Sequence, residues 1–158
     1  MKYIFDHYAL LYMLEQFPHS IASELWDAFS NNCENGTIVF HRESQKILEQ
    51  EAVEQSSLDW EKKHSAQFSA TTLKEAILLG NLMDSHVFDF LATPKLLQRR
   101  LPEATPFILC KAKEQSRVFV YRKNTNTDFL PKIKKICDSL DVKHMEVEEC
   151  LLSLKSNI

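Results

Sequence analysis

A chain of 158 residues, 44% of them hydrophobic and 10% aromatic, can bury a core of ordinary size, and residues 1–158 read as one globular domain. Cys33, Cys110, Cys137 and Cys150 lie far apart, with no C-x-x-C pair and no clustered histidines, which excludes a disulfide framework and a zinc module and leaves reduced, structural thiols as the expectation. The net charge of -3 is unevenly spread: residues 1–90 carry 6 basic against 14 acidic side chains and residues 91–158 carry 13 against 8, so the second half suits phosphates.

The opening "YIF" is aromatic and β-branched enough for a short buried strand. "HYALLYMLEQF" then places Tyr8, Leu11 and Leu14 at helical spacing. Asp6 and His7 interrupt the apolar run, no small-residue cleavage site follows, and no stretch approaches the ~20 apolar residues of a membrane helix. A cytoplasmic protein that avoids the membrane is expected. A second helix is announced by Ser20 after Pro18 and buries Ile21, Leu25 and Phe29. It ends near "CENG", where Gly36 can take the left-handed conformation of a helix stop, and "TIVF" is the second strand.

Residues 43–52 form a polar helix with Ile47 and Leu48 inward, and "SSLDWEKK" adds a turn around Trp60. Thr72-x-x-Glu75 is a capping box that opens an apolar-faced helix. Thr93-Pro94 and Thr105-Pro106 each suit Thr as the cap and Pro as the first helical residue. "RVFVY" is the clearest strand, and "FLPKIKKICDSL" is an amphipathic helix with Ile133, Ile136, Cys137 and Leu140 on one face. "VKHMEV" and "EECLLSL" supply a last strand and helix.

Strands alternating with helices, with no hairpin signal between them, predict an α/β fold: a mainly parallel sheet of about four strands, covered by helices on both faces in three layers. In such sheets the functional crevice lies beyond the carboxyl ends of the strands. Asp6 follows the first strand and Arg122 follows "VFVY", so both belong to that end.

This order of features resembles the PIN domain, the nuclease fold of VapC-type toxin ribonucleases. "YIFDHYALL" is similar to the family's first strand, which ends in a metal-binding Asp. "LPEATPFILCKAKEQSRVFVY" resembles the helix that carries the third acid and the strand after it, and "LPKIKKICDSLDVKHMEVEECLLSL" resembles the closing helix, strand and helix. The resemblance implies a three-layer sandwich and a cluster of three or four carboxylates holding Mg²⁺ or Mn²⁺. Those ions activate water and offset the charge that builds on the scissile phosphate.

Against that pattern the chain keeps Asp6, followed by His7 and Tyr8 where a small residue and Asn are usual. The second acid would fall close to Lys46 or Ile47, with Glu43 and Glu49 nearby. Thr105-Pro106 stands for an Asp-Pro pair, which keeps a cap hydrogen bond and loses the charge a metal requires. Arg122 and Lys123 stand where the fourth acid belongs.

Asp6 therefore has three readings: a cap of the next helix, a salt-bridge partner of Arg122, or a metal ligand. Glu43, Glu49, Glu51 and Glu54 are most simply an exposed acidic face. Asp84 and Asp89 read as surface or capping residues with replacement acids for the cleft as the alternative, and His7 reads as a packing residue with acid–base chemistry as the alternative. Arg99, Arg100, Lys111, Arg122 and Lys123 are the candidate phosphate contacts.

Three functions follow from this reading. The first is an impaired nuclease-fold protein that binds RNA or a protein partner. The second is an active Mg²⁺- or Mn²⁺-dependent endoribonuclease using Asp6 with substitute acids such as Glu43 or Glu49, the toxin beside an antitoxin-like partner. The third is a scaffold that self-associates as a homodimer or assembles a complex.

Overall fold

In the computed structural model, residues 1–17, 22–52, 54–91, 104–123 and 129–156 are described. Five short strands form one sheet: β1 Tyr3–Phe5, β2 Ile38–His41, β3 Phe68–Ser69, β4 Val118–Tyr121 and β5 His144–Glu146, in the order β3-β2-β1-β4-β5. All neighbours pair in parallel, with Tyr3 opposite Ile38 on one side and opposite Val118 on the other.

The described helices are α1 His7–Gln16, α2 Ser23–Glu34, α3 Arg42–Glu51, α4 Gln55–Lys63, α5 Leu73–Asp84, α6 Thr105–Glu114, α7 Leu130–Ser139 and α8 Val147–Ser156. A parallel sheet needs cover on both faces, and the strand residues divide accordingly. Tyr3, Phe5, Val118 and Val120 face a core shared with α1, α2 and α8. Ile4, Phe119 and Tyr121 face a second core supplied by α6 and α7, with Phe88 and Leu91 added. This is the three-layer α/β sandwich expected from the sequence.

Aromatic edges fill the first core. The Phe5 ring meets Phe29 at 5.7 Å and Phe40 at 6.0 Å, and Phe40 meets Phe68 at 4.9 Å. Offset and edge contacts of this kind add to the burial of the rings themselves. Gly36, at φ +83°, makes the left-handed turn between α2 and β2.

Several sequence expectations need correction. The sheet has five strands, because Phe68–Ser69 is too short to show a period of its own yet pairs with Phe40 and His41. Trp60 lies in the second turn of a nine-residue helix rather than in an added turn, and it is held by contacts to Phe29 and Phe40. α2 buries Trp26, Phe29 and Cys33, while Leu25 is only half-buried. Trp26 Nε1 donates to the Phe17 carbonyl at 2.6 Å, which fixes the indole inward. Ser20, Ile21 and the helix expected at Pro94 lie outside the described residues. Thr105 is the first residue of α6, with Ala104 at the cap position, so Thr105 does not cap the helix as expected.

The carbonyls at the amino end of the sheet converge on one guanidinium. Arg117 donates to Tyr3 O at 3.3 Å, Gly36 O at 3.0 Å and Thr37 O at 3.2 Å, with Nε on Gln115 at 2.6 Å. It joins the chain entering β1, β2 and β4. The four cysteines are free and buried, and burial pushes the Cys110, Cys137 and Cys150 thiols up to about 12.

Candidate functional site

The strand order leaves β1 between β2 and β4, with the chain building outward first to β3 and then, on the other side, to β5. That reversal lies at the carboxyl ends of β1 and β4, the usual place for a ligand in an open parallel sheet. Asp6, Arg122 and Lys123 follow those ends, Thr105 opens α6, and Glu43 lies in the first turn of α3 after β2.

Asp6 is 8% exposed. Its backbone N–H donates to Val120 O at 3.0 Å, which closes β1 against β4. Its carboxylate Oδ1 accepts from Ala9 N at 2.7 Å, so the side chain caps α1 and its charge faces the positive end of that helix. Thr105 is buried.

Arg122 lies with its guanidinium carbon 5.0 Å from the centre of the Tyr12 ring, a cation–π contact across α1. The Tyr12 hydroxyl donates to Glu148 Oε1 at 2.6 Å, and that hydrogen bond, more than burial, raises the phenol above its ordinary value while Arg122 opposes the rise. Arg122 is half-buried and Lys123 is exposed. Glu43 is half-buried and pairs with Lys46 at 3.6 Å on the same helix face.

Two histidines sit at the same end of the sheet. His7 is buried, and neither ring nitrogen has a hydrogen-bond partner. Desolvation lowers it from 6.5 to about 3, so the ring is neutral. His41 Nδ1 accepts from Glu43 N at 3.0 Å and so caps α3, a role usually filled by Ser, Thr, Asp or Asn. That leaves the proton on Nε2, 3.0 Å from Thr71 Oγ1. Burial first, and the nearby Lys111 second, lower His41 to about 4.

Lys111 is not a phosphate contact. It is 1% exposed, and its ammonium lies 2.8 Å from Glu75 Oε1 and donates to Ala70 O at 2.9 Å. Glu75 is the acid of the capping box: its N–H donates to Thr72 Oγ1 at 3.3 Å, and Thr72 Oγ1 donates to Glu75 Oε2 at 2.7 Å. The box and the ion pair share one carboxylate. The sequence carried a sign of this, because Lys111 stands three residues after buried Ile108 and next to buried Ala112. Arg99 and Arg100 lie outside the described residues.

The fit to a divalent ion can be tested on these donors. Mg²⁺ and Mn²⁺ need several anionic oxygens in one place, and among the described residues no three His, Cys, Asp or Glu side chains converge on a point that could hold a metal. Glu49 and Asp84 are exposed, and exposed Asp89 pairs with His86 at 3.0 Å. One Asp6 oxygen is already engaged by α1. The described residues therefore do not fit the family's metal cluster. No helix among them is long and apolar enough to cross a membrane.

Comparison with solved structures finds one likeness in fold: a chain of the crystal structure of VapBC2 from Rickettsia felis bound to a DNA fragment from their promoter. The TM-score is 0.52 at 12% sequence identity, covering 92% of this chain and 98% of that one. At that identity the likeness concerns the fold, which is PIN-like. No curated protein matches the sequence. The profile of one family does match, over residues 3–158, nearly the full length, and the chain belongs to that family, described as Domain of unknown function (DUF4411).

Proposed function

We propose that this protein is a PIN-like domain whose crevice binds a nucleic-acid backbone, RNA in the first instance, without cleaving it. The observation that carries the reading is the state of Asp6. Its carboxylate is bonded to the amino end of α1, while Arg122 and Lys123 follow β4 at the same end of the sheet. Cations at the mouth of a crevice hold phosphates without any metal. An antitoxin-like protein is the companion this reading expects, by analogy with the VapBC2 complex.

A second reading, an active metal-dependent ribonuclease, draws on the same likeness to VapBC2. The two separate in one set of measurements on the purified chain. Fluorescence anisotropy with a single-stranded RNA over a salt series should show binding that weakens steeply with ionic strength. The double variant Arg122→Glu/Lys123→Glu should weaken it and flatten the salt slope by about 1.4. Incubation of the same RNA with Mn²⁺ should leave it intact. Cleavage that disappears both with EDTA and in Asp6→Asn would replace the binding reading by the nuclease. Absence of RNA binding would leave the fold to a protein-assembly role.

A further inference from the structure

α7 carries its charges in the opposite order to the one a helix favours. Its amino half holds Lys132, Lys134 and Lys135 with no acid in the first turn, and its last turn holds Asp138 and no base. The amino end of a helix is the positive end of its dipole, so lysines there and an aspartate at the far end both work against the fold. Among the described residues no carboxylate lies within ion-pair reach of the three lysines, and Asp138 is engaged by His144 at 3.2 Å. The stability of the helix does not account for these cations. An anion brought from outside would.

The same lysines stand where such an anion would be met. Lys134 Nζ lies 5.0 Å from the centre of the ring of Tyr121, the last residue of β4. Tyr121 turns toward the second core, whereas the next residue, Arg122, reaches the Tyr12 ring on the first-core side of the sheet. The carboxyl end of β4 is thus straddled by two cations, one on each face. Lys132 Nζ lies 5.4 Å from the centre of the Phe90 ring, and Phe90 in turn meets Phe129 at 5.7 Å. At 3.6 residues per turn Lys132 and Lys134 project about 160° apart, with Lys135 between them on the solvent side. Lys132 and Lys135 are exposed and Lys134 is half-buried. A lysine laid against a ring keeps its charge and has less freedom left to lose when it meets a phosphate.

We infer, resting on the nucleic-acid reading above, that the amino half of α7 is a second phosphate-contact surface beside Arg122 and Lys123. An RNA strand held at the carboxyl end of the sheet runs on across Lys134, Lys135 and Lys132. Cations spread over both flanks and the outer side of a helix suit a polyanion whose charges repeat along its length, more than a single phosphate that one tight cluster would hold.

Fluorescence anisotropy of the full chain with a single-stranded RNA of about 12 nucleotides, over a salt series, tests the path. Lys132→Gln/Lys135→Gln should weaken binding and flatten the salt slope by about 1.4, as two lost phosphate contacts require. Combined with Arg122→Glu/Lys123→Glu, it should flatten the slope by about 2.8 in all. Lys2→Gln/Lys143→Gln, two exposed lysines at the amino ends of β1 and β5, should change neither affinity nor slope. Thermal melts of the α7 pair should stay close to the parent, since both side chains are exposed. Binding that needs Arg122 and Lys123 but is indifferent to the α7 pair overturns the inference and leaves the reading of the sheet end standing. Equal losses from the α7 pair and from the Lys2/Lys143 pair overturn it too, because net charge alone would then carry the binding. RNA that does not bind at all removes both readings.

Discussion

Glu75 and Lys111 face each other at 2.8 Å with both side chains only 1% exposed, joining the first turn of α5 to α6. A buried pair can be replaced by apolar residues at small cost, whereas removal of one partner strands a charge. Lys111→Met is therefore expected to destabilise the fold by about 3–5 kcal/mol, and Lys111→Met/Glu75→Leu by much less. Urea denaturation of the two variants checks the sign of that difference.

Stability should fall in acid because of two rings. His7 and His41 are held neutral in the fold, at about 3 and about 4 against 6.5 for a free ring. Their folded values are depressed, so the unfolded chain takes up protons first as the pH drops. The stability that the neutral rings hold is complete above about 6.5 and is lost as the pH falls toward the folded values. Each ring contributes a slope of up to about 1.4 kcal/mol per pH unit in that window. Thermal melts from neutral pH to about pH 5 should show the decline, and His7→Phe should make it shallower.

Arg117 satisfies three backbone carbonyls where β1, β2 and β4 begin. Arg117→Met keeps much of the stem and removes the guanidinium from the three carbonyls, of which Thr37 O still accepts from Tyr3 N at 2.8 Å, so a loss of about 2–3 kcal/mol is expected. Arg117→Lys should recover only part of it, since one ammonium cannot reproduce the planar fork. Denaturation midpoints of the three proteins decide the order.

Asp6 separates capping from charge. Asp6→Ala removes the acceptor for Ala9 N and should cost about 1 kcal/mol, while Asp6→Asn keeps an acceptor and should stay close to the parent. If Asp6→Asn melts far below the parent, the charge itself is structural and the cap is the smaller part of its role.

Much of the architecture was written in local pattern. "VFVY" is buried along its whole length and reads as a strand from β-branched and aromatic residues alone. Ile133, Ile136 and Cys137 fall on one face of α7 and are buried as their spacing implies. β3 escaped because two residues carry no period, and its pairing to β2 depends on long-range contact. At the site, Asp6 was visible as a polar residue ending an apolar strand. The burial of Lys111 is not legible in a count of basic residues, which treats each as solvated, whereas this one meets a carboxylate 36 positions earlier in the chain. His41 as a cap left no sign either, since the ring's second contact, Nε2 at 3.0 Å from Thr71 Oγ1, comes from a residue 30 positions away.

The central position of β1 has a consequence for the order in which the molecule can assemble. β1 precedes the other strands along the chain, and β2 completes one edge of it by residue 41. The other edge waits for Val118 to Val120, more than a hundred residues later, so the middle of the sheet closes through contacts of very high sequence separation. Such topologies fold slowly, and until β4 arrives the nascent chain carries an open, fully apolar strand edge flanked by Phe5, Phe29 and Phe40. Refolding should therefore be limited by docking of the β4–β5 half, and the fragment that ends before residue 118 should aggregate rather than fold.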